Sequence, residues 1–427
     1  MPQPPWLAAL LTRRMLICVF TGFSSGLPLY LLLNLLPAWL RSSGVDLKTI
    51  GFFALIQFPY TWKFLWAPLL DRYALRFGPF GGRRRGWMLL TQIGLLFAIG
   101  ALGGFDPKAE TSAVLLVAAV LAFLSATQDI ALDAYRREIL SDSELGLGNS
   151  VHVNAYRVAG LVPGSLSLIL ADHLPWAEVF WITAAFMLPG MLLSLRAPEP
   201  SGTTPPKTLR EAVVEPFHEF MSRNGWRGAA LTLSFIFLYK LGDSLCTALA
   251  TPFYLDMGFT KSDIGLIAKH AGLWPAVIGG LLGGLWMVKT GINRALWLFG
   301  VVQVVSIFGF AWLAWLGPQN VIGIEQQLAL AAVIGLEALG VGLGTAAFVA
   351  FIARTTHPAY TATQFALFTS LAAVPRTVVN ASAGWLVETL GWFGFFQLCV
   401  LLALPGMALL LKVAPWHSKE NTESVPA

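Results

Sequence analysis

The chain has 427 residues, of which 56% are hydrophobic and only 12% charged, roughly half of the usual ~25% charged share. A soluble globule of this size needs more polar surface than that, so lipid must cover much of the chain. The formal charge of +5 is explained by how the cations are distributed rather than by a nucleic-acid partner, and Cys18, Cys246 and Cys399 form neither a metal spacing nor a disulfide framework.

Apolar stretches long enough to cross ~30 Å of hydrocarbon, at ~1.5 Å per residue, recur along the whole chain. Spans are expected at 14–40, 48–70, 86–105, 111–135, 147–171, 176–196, 228–255, 262–288, 295–316, 326–352, 361–387 and 391–413, which makes an all-α membrane protein of about twelve transmembrane helices. The first is too long for a signal-peptide core and leads into a second span, so it is expected to be retained. With the amino terminus inside, nineteen of the 28 Lys and Arg fall in cytoplasmic segments, and only Arg41, Lys48, Lys108 and Lys261 lie opposite. That asymmetry predicts cytoplasmic termini at both ends.

The longest polar stretch, 197–227, holds Pro198, Pro200, Pro205 and Pro206. It separates a six-helix bundle over 1–196 from a second over 228–427, which ends in a short tail. Two six-helix bundles joined by a linker match the major-facilitator fold. Within the linker, 208–222 reads either as an amphipathic helix lying on the membrane or as a disordered tether. The loop after span two runs Asp71-Arg72 and then Gly82-Arg83-Arg84-Arg85-Gly86. It resembles the facilitator-superfamily signature, although Ala67 stands where that signature prefers Gly. The resemblance implies a structural cytoplasmic latch of Asp71, Arg72, Arg83 and Arg84, to which Asp133 and Arg136, one turn apart, are added.

Subtracting loop charges leaves Lys63, Arg157, Lys240, Lys269 and Arg376 inside spans, together with Asp129, Asp133, Asp243 and Glu337 inside spans or near their inner ends. A charge at a helix centre costs ~2.5–3.5 kcal/mol even on the lenient insertion scale, so each must face protein or a wet cavity. Together they imply one shared aqueous pathway. Lys240 and Asp243 share a helix face and pair. Asp129 is open between proton handling, substrate contact and a structural network. Glu337 follows an apolar run with no cation in its own helix, so it is the first candidate for a titrating carboxylate. The proton-coupling set is therefore Asp129, Asp243 and Glu337. His270 is read as packing, and His152 carries no assignment. Tyr60, Trp62, Tyr156, Tyr239 and Trp274 lie near these charges and offer ring faces to sugars, although most aromatics of such a chain face lipid. No Walker-type loop, metal cluster or nucleophile–base constellation stands out, so transport driven by an ion gradient is expected, with no enzymatic activity and no cofactor.

Several strings resemble the AmpG-type muropeptide permeases: Gly22-Phe-Ser-Ser-Gly-Leu-Pro-Leu29, Asp46-Leu-Lys-Thr-Ile-Gly-Phe-Phe53, Lys63-Phe-Leu-Trp-Ala-Pro-Leu-Leu-Asp-Arg-Tyr73, Ser125-Ala-Thr-Gln-Asp-Ile130, Tyr239-Lys-Leu-Gly-Asp243 and Ala362-Thr-Gln-Phe-Ala-Leu367. The likeness runs from about residue 15 to residue 410, and the chain stops soon after the twelfth span, where some members carry more. It implies import of anhydromuropeptides (GlcNAc–anhydroMurNAc and its peptides) across the bacterial inner membrane, driven by protons, for cell-wall recycling, with a bearing on β-lactamase induction. Such a ligand is anionic, so the substrate-binding set is Lys63, Gln128, Arg157, Tyr239, Lys240, Lys269, Gln364 and Arg376. The arginines suit carboxylates, and the glutamines suit hydroxyls or amides. A monomer is expected. The alternatives are a facilitator antiporter exporting drugs or metabolites, and a non-transporting membrane protein of the same fold.

Overall fold

The computed structural model describes residues 11–45, 56–75, 82–200, 208–259, 261–318, 322–374 and 379–417. The helices run in chain order α1 (Arg13–Tyr30), α2 (Leu36–Ser42), α3 (Phe58–Trp62), α4 (Ala67–Arg72), α5 (Arg85–Leu102), α6 (Thr111–Ile139), α7 (Leu145–Ala159), α8 (Ser167–Ala171), α9 (Trp176–Ala185), α10 (Leu188–Arg196), α11 (Leu209–Leu238), α12 (Leu241–Ala248), α13 (Ala250–Asp256), α14 (Lys261–Leu316), α15 (Ile324–Thr355), α16 (Thr361–Val374) and α17 (Ala383–Val413). Among the described residues, nine apolar helical stretches are long enough to cross a bilayer. Three contain a glycine at positive φ where the chain changes direction: Gly225 (φ 65°), Gly291 (φ 78°) and Gly391 (φ 68°). A side chain there would be strained, so glycine permits the turn.

The chain packs as two units. One comprises Met1–Ser141, Val151–His218 and Thr356–Ser370, and the other Asp142–Ser150, Glu219–Thr355 and Leu371–Ala427. In the first, Thr12 caps α1 by accepting from Met15 N–H at 3.2 Å. Pro28 lies inside α1, and a π-helical turn, Leu31–Leu35, follows it. Proline has no N–H to give the carbonyl four residues back. That carbonyl belongs to Ser24, and Gln128 Nε2 donates to it at 3.0 Å from α6. Helix α7 approaches α1 so closely that a Cβ on Gly22 or Gly26 would strike the His152 or Tyr156 carbonyl oxygen. One apolar core holds Leu31, Leu35, Trp39, Leu95, Ile99, Leu121 and Phe180, and another joins Ile17, Leu70, Met88, Ile130 and Tyr135 to Ala362 and Ala366.

In the second unit, Phe253, Tyr254, Phe310, Phe395 and Phe396 form the aromatic centre of the core. Phe253 meets Phe396 edge-on at 4.8 Å between centroids, which is the favoured geometry. Gly242 lets α12 lie against the Cys399 carbonyl of α17, and Gly279 lets α14 lie against the Leu339 carbonyl of α15. Large apolar side chains such as Phe97, Leu116, Trp181, Phe308 and Leu401 remain exposed. On a chain this apolar they are the lipid-facing surface.

Candidate functional site

Span two is broken. α3 ends at Trp62, Lys63–Leu65 form a 3-10 turn, and α4 begins at Ala67. At the break the buried Lys63 side chain reaches Asp133 on α6 at 3.7 Å. Asp133 also pairs with Arg136, one turn along, at 2.8 Å. One turn the other way on the same face, Asp129 accepts from Ser25 Oγ at 2.5 Å. Lys63, Asp133 and Arg136 all act electrostatically on Asp129. The result is an alternating charge ladder of Asp129, Asp133 and Arg136 on α6 with Lys63 supplied from the break in span two. Beside it, Gln128 Oε1 is buried without a hydrogen-bond partner among the described residues, and the buried Tyr60 and Ser125 hydroxyls lie next to one another. A buried polar atom without a partner is an exception in folded proteins, and here it stands where a polar ligand or water has a partner to meet. His152 Nδ1 lies 3.2 Å from Thr21 Oγ1.

At the end of span two, Asp71 and Arg84 are fully enclosed. Arg84 donates to Asp71 at 2.7 Å, to Glu138 at 2.6 Å, to Thr361 Oγ1 at 2.6 Å and to the Leu70 carbonyl at 3.1 Å. Asp71 in turn accepts from the Ala362 N–H at 3.2 Å and from the Thr363 N–H and hydroxyl at 2.9 and 2.8 Å. A carboxylate at the amino end of α16 satisfies orphan donors and complements the helix dipole. Burial alone would lower the Arg84 guanidinium, but Glu138 and Asp71 outweigh it and hold the group above its ordinary value. Arg83 goes the other way: burial and the neighbouring Arg84 charge lower it against the pull of Glu138 and Asp71. Arg84 is thus the keystone of the cluster, and Arg83 an adjunct to it. Arg72 lies over the Tyr73 ring at 5.6 Å and joins no ion pair among the described residues. Asp133 and Arg136 belong to the α6 ladder, with Arg136 also 5.7 Å from the Phe365 ring centroid.

In the second unit the lysine of span seven also sits at a helix break. Lys240 interrupts the path from α11 to α12, and its ammonium meets Asp243 at 2.7 Å. Asp243 lines a small cavity with Tyr239, Gly300, Gln303 and Met407. Gln303 Nε2 is buried there without a hydrogen-bond partner among the described residues. Tyr239 donates to the Leu296 carbonyl at 2.8 Å and stacks on Phe348 at 5.5 Å, so its hydroxyl and one ring face are engaged. Ser244 and Asn380 hydrogen-bond beside the pair at 3.3 to 3.5 Å. Glu337 is buried on α15, and both it and Asp243 act on Cys246.

Other expected site residues are placed differently. Gln364 is buried, with its Oε1 accepting from His357 N–H at 2.7 Å and its Nε2 donating to the Pro216 carbonyl at 2.8 Å. Both ends of the amide therefore join segments of the chain. Arg157 is half-buried in the last turn of α7. Arg376, the start of span two over 48–55 and the side chain of Lys269 lie outside the described residues. Sequence reasoning missed Glu138, which bonds Arg84, and Glu199, which accepts from the Arg84 and Arg85 N–H groups at 2.8 and 3.1 Å. It also missed Thr361, Thr363, Gln303 and Asn380. No group of three or more metal-ligating side chains forms among the described residues.

Broken apolar helices carrying paired charges at the breaks define a polytopic membrane transporter. The Major Facilitator Superfamily model matches residues 18–378, and the chain belongs to that superfamily. It is 43% identical over 401 residues to the "Anhydromuropeptide permease" of Escherichia coli K12, covering 93% of this chain and 79% of the relative. It is 51% identical to an "Uncharacterized protein" of Haemophilus influenzae Rd, covering 97% of each. Among solved structures it is similar to the proton:xylose symporter XylE, with a TM-score of 0.67 and 12% identity over 96% of this chain and 95% of that one, a likeness of fold. The protein is a multi-pass membrane transporter of this superfamily, not an enzyme.

Proposed function

We propose that the chain imports anhydromuropeptides, GlcNAc–anhydroMurNAc and its peptides, across the bacterial inner membrane for cell-wall recycling. The observation that carries the reading is its 43% identity to the E. coli permease over 93% of its length, together with lysines paired with aspartates at helix breaks. A buried ammonium paired with an aspartate is a ready acceptor for a substrate carboxylate, because the incoming anion replaces a charge partner rather than creating an unpaired one. Lys63, Lys240 and Arg157 grip the peptide carboxylates, and Gln128, through its unpartnered Oε1, takes a hydroxyl or amide N–H. Arg376 and Lys269 belong to the same cationic set. Gln364 is reassigned to positioning, since both ends of its amide are engaged.

Proton symport supplies the energy. Asp129 and Asp243, each beside a lysine, and the enclosed Glu337 are the groups whose protonation is tied to substrate occupancy. Bundles over 1–196 and 228–427 alternate access, with the Asp71–Arg84–Glu138 cluster latching the cytoplasmic side. Both termini are cytoplasmic, the unit of transport is a monomer, and imported fragments feed β-lactamase induction.

The test is uptake of labelled GlcNAc–anhydroMurNAc-peptide by the purified full-length chain in proteoliposomes. Accumulation is expected only with an acidic exterior, and charge-removing substitutions such as Lys240→Gln should reduce it. Uptake indifferent to the pH gradient overturns the symport, and no uptake of any muropeptide overturns the substrate.

A further inference from the structure

We infer that the cavity beside Asp243 is a binding site for one water molecule, positioned by Gln303, which keeps a hydrogen-bond donor on the Asp243 carboxylate when a substrate anion draws Lys240 away. The cavity lies wholly within the second unit, and its walls come from α12, α14, α17 and Tyr239. About 10 Å³ of it is open to the centre of a water molecule, roughly the space that one water requires. Val304, Ile307 and Ala403 give it an apolar side, and three polar groups converge from elsewhere: the Asp243 carboxylate, the Tyr239 hydroxyl and the Gln303 amide. Two glycines set this shape. A Cβ on Gly344 would strike Gln303 Oε1, so glycine there seats the amide. A Cβ on Gly300 would strike Met407 and lie 3.1 Å from Tyr239 Oη, so glycine there keeps the space beside the hydroxyl open.

The occupant follows from counting donors and acceptors. Tyr239 gives its single hydroxyl proton to the Leu296 carbonyl, so toward the cavity the oxygen can only accept. Gln303 is 4% exposed, and its Nε2, without a partner among the described residues, can only donate. The Asp243 carboxylate accepts. One water matches all three: its oxygen takes the Gln303 N–H, and its two protons go to Tyr239 and Asp243. Three bonds is the usual count for a buried water. A metal cation does not fit, because Gln303 faces it with hydrogens and the Lys240 ammonium already stands 2.7 Å from Asp243. The role of the water rests on the proposed capture of a substrate carboxylate by Lys240. When the ammonium turns to that anion, Asp243 would be stranded as a buried charge, which is costly. The water remains as its donor, and Gln303 is the residue that holds the water in place.

The experiment is X-ray radiolysis of the full-length chain in lipid nanodiscs, in which radicals formed from bound water oxidise the nearest side chains, read by mass spectrometry. Tyr239 is expected to gain oxygen several-fold faster than Tyr135, which is fully enclosed and whose hydroxyl bonds the Pro198 carbonyl at 2.9 Å. Gln303→Leu removes the donor, and Val304→Leu fills the cavity while leaving every polar group in place; both should bring Tyr239 down to the rate of Tyr135. Tyr239 labelled no faster than Tyr135, or equally fast in wild type and both variants, overturns the water site. On the same samples, calorimetric affinity for GlcNAc–anhydroMurNAc-peptide should fall about tenfold in each variant, the worth of one hydrogen bond to a charged group. Unchanged affinity with the water lost overturns its role. No binding of the muropeptide by the wild-type chain overturns the substrate reading instead, and the footprint still decides the water site. Should Gln303→Leu fail to insert, Val304→Leu decides both measurements alone.

Discussion

Replacing Arg84 by Gln tests the electrostatic account of the latch most directly. The guanidinium is wholly enclosed and neutralises two carboxylates, Asp71 at 2.7 Å and Glu138 at 2.6 Å. Removing one member of a buried ion pair typically costs about 3–5 kcal/mol, because the remaining charge is left uncompensated. Arg83 still reaches Glu138 at 3.1 Å and Asp71 at 4.0 Å, so the lower end applies. A loss of about 3 kcal/mol corresponds to roughly a hundredfold shift toward the released state of the segment that Asp71 holds. The Ala362 and Thr363 amides donate directly to Asp71, so they report that release. Their hydrogen exchange in nanodiscs should accelerate about a hundredfold in Arg84→Gln, an estimate that follows from the same pair energy. In Arg83→Gln the acceleration should be far smaller. The double variant Arg84→Gln/Glu138→Gln should recover part of the protection, since it removes one of the stranded charges. Unchanged exchange in Arg84→Gln, or equal effects of the two arginines, would refute the reasoning.

Substitution of Asp243→Asn is expected to abolish the pH dependence of uptake, and Lys240→Gln to weaken substrate affinity while the protein remains in the membrane; transport assays across a pH series separate the two. Gly26→Leu should prevent assembly, because its side chain would strike the Tyr156 carbonyl, whereas Gly384→Ala meets nothing within 4 Å and should leave membrane abundance unchanged. Asp106 accepts from the Lys108 and Ala109 N–H groups at 2.9 and 3.2 Å, and those bonds hold its carboxyl below the usual range. The loop stability it contributes is present above the ordinary carboxylate pKa and is lost as pH falls through the depressed one. Asp106→Ala should therefore raise exchange of the 106–110 loop at neutral pH but not in strong acid.

Much of this architecture was readable because its causes are local. Long apolar runs announce helices that need lipid, and the pairing of Lys240 with Asp243 follows from their spacing on one face. The intramembrane charges were legible one by one, since each stands out against apolar neighbours. Their partners across helices were not. Asp133 looks bound to Arg136 by spacing, but its second partner, Lys63, depends on a break in span two that composition does not reveal. Glu138 resembles any charge beside Arg136 and Arg137, and its role appears only when Arg84 arrives from another loop. Gln364 shows the opposite case. An amide inside a span looks like a ligand contact until the His357 N–H and Pro216 carbonyl are seen to occupy both ends of it.

The bond between Gln128 and the Ser24 carbonyl ties two positions a hundred residues apart into one unit of change. A proline at 28 creates a vacancy in the ladder of its own helix, and a neighbouring helix fills it from the side. Replacing the glutamine by an aliphatic residue would strand an acceptor in a dry interior, while restoring an N–H at 28 would make the glutamine's donor redundant. The irregular backbone of the first span and the amide of the fourth are therefore one structural feature, so a change to either is felt by both.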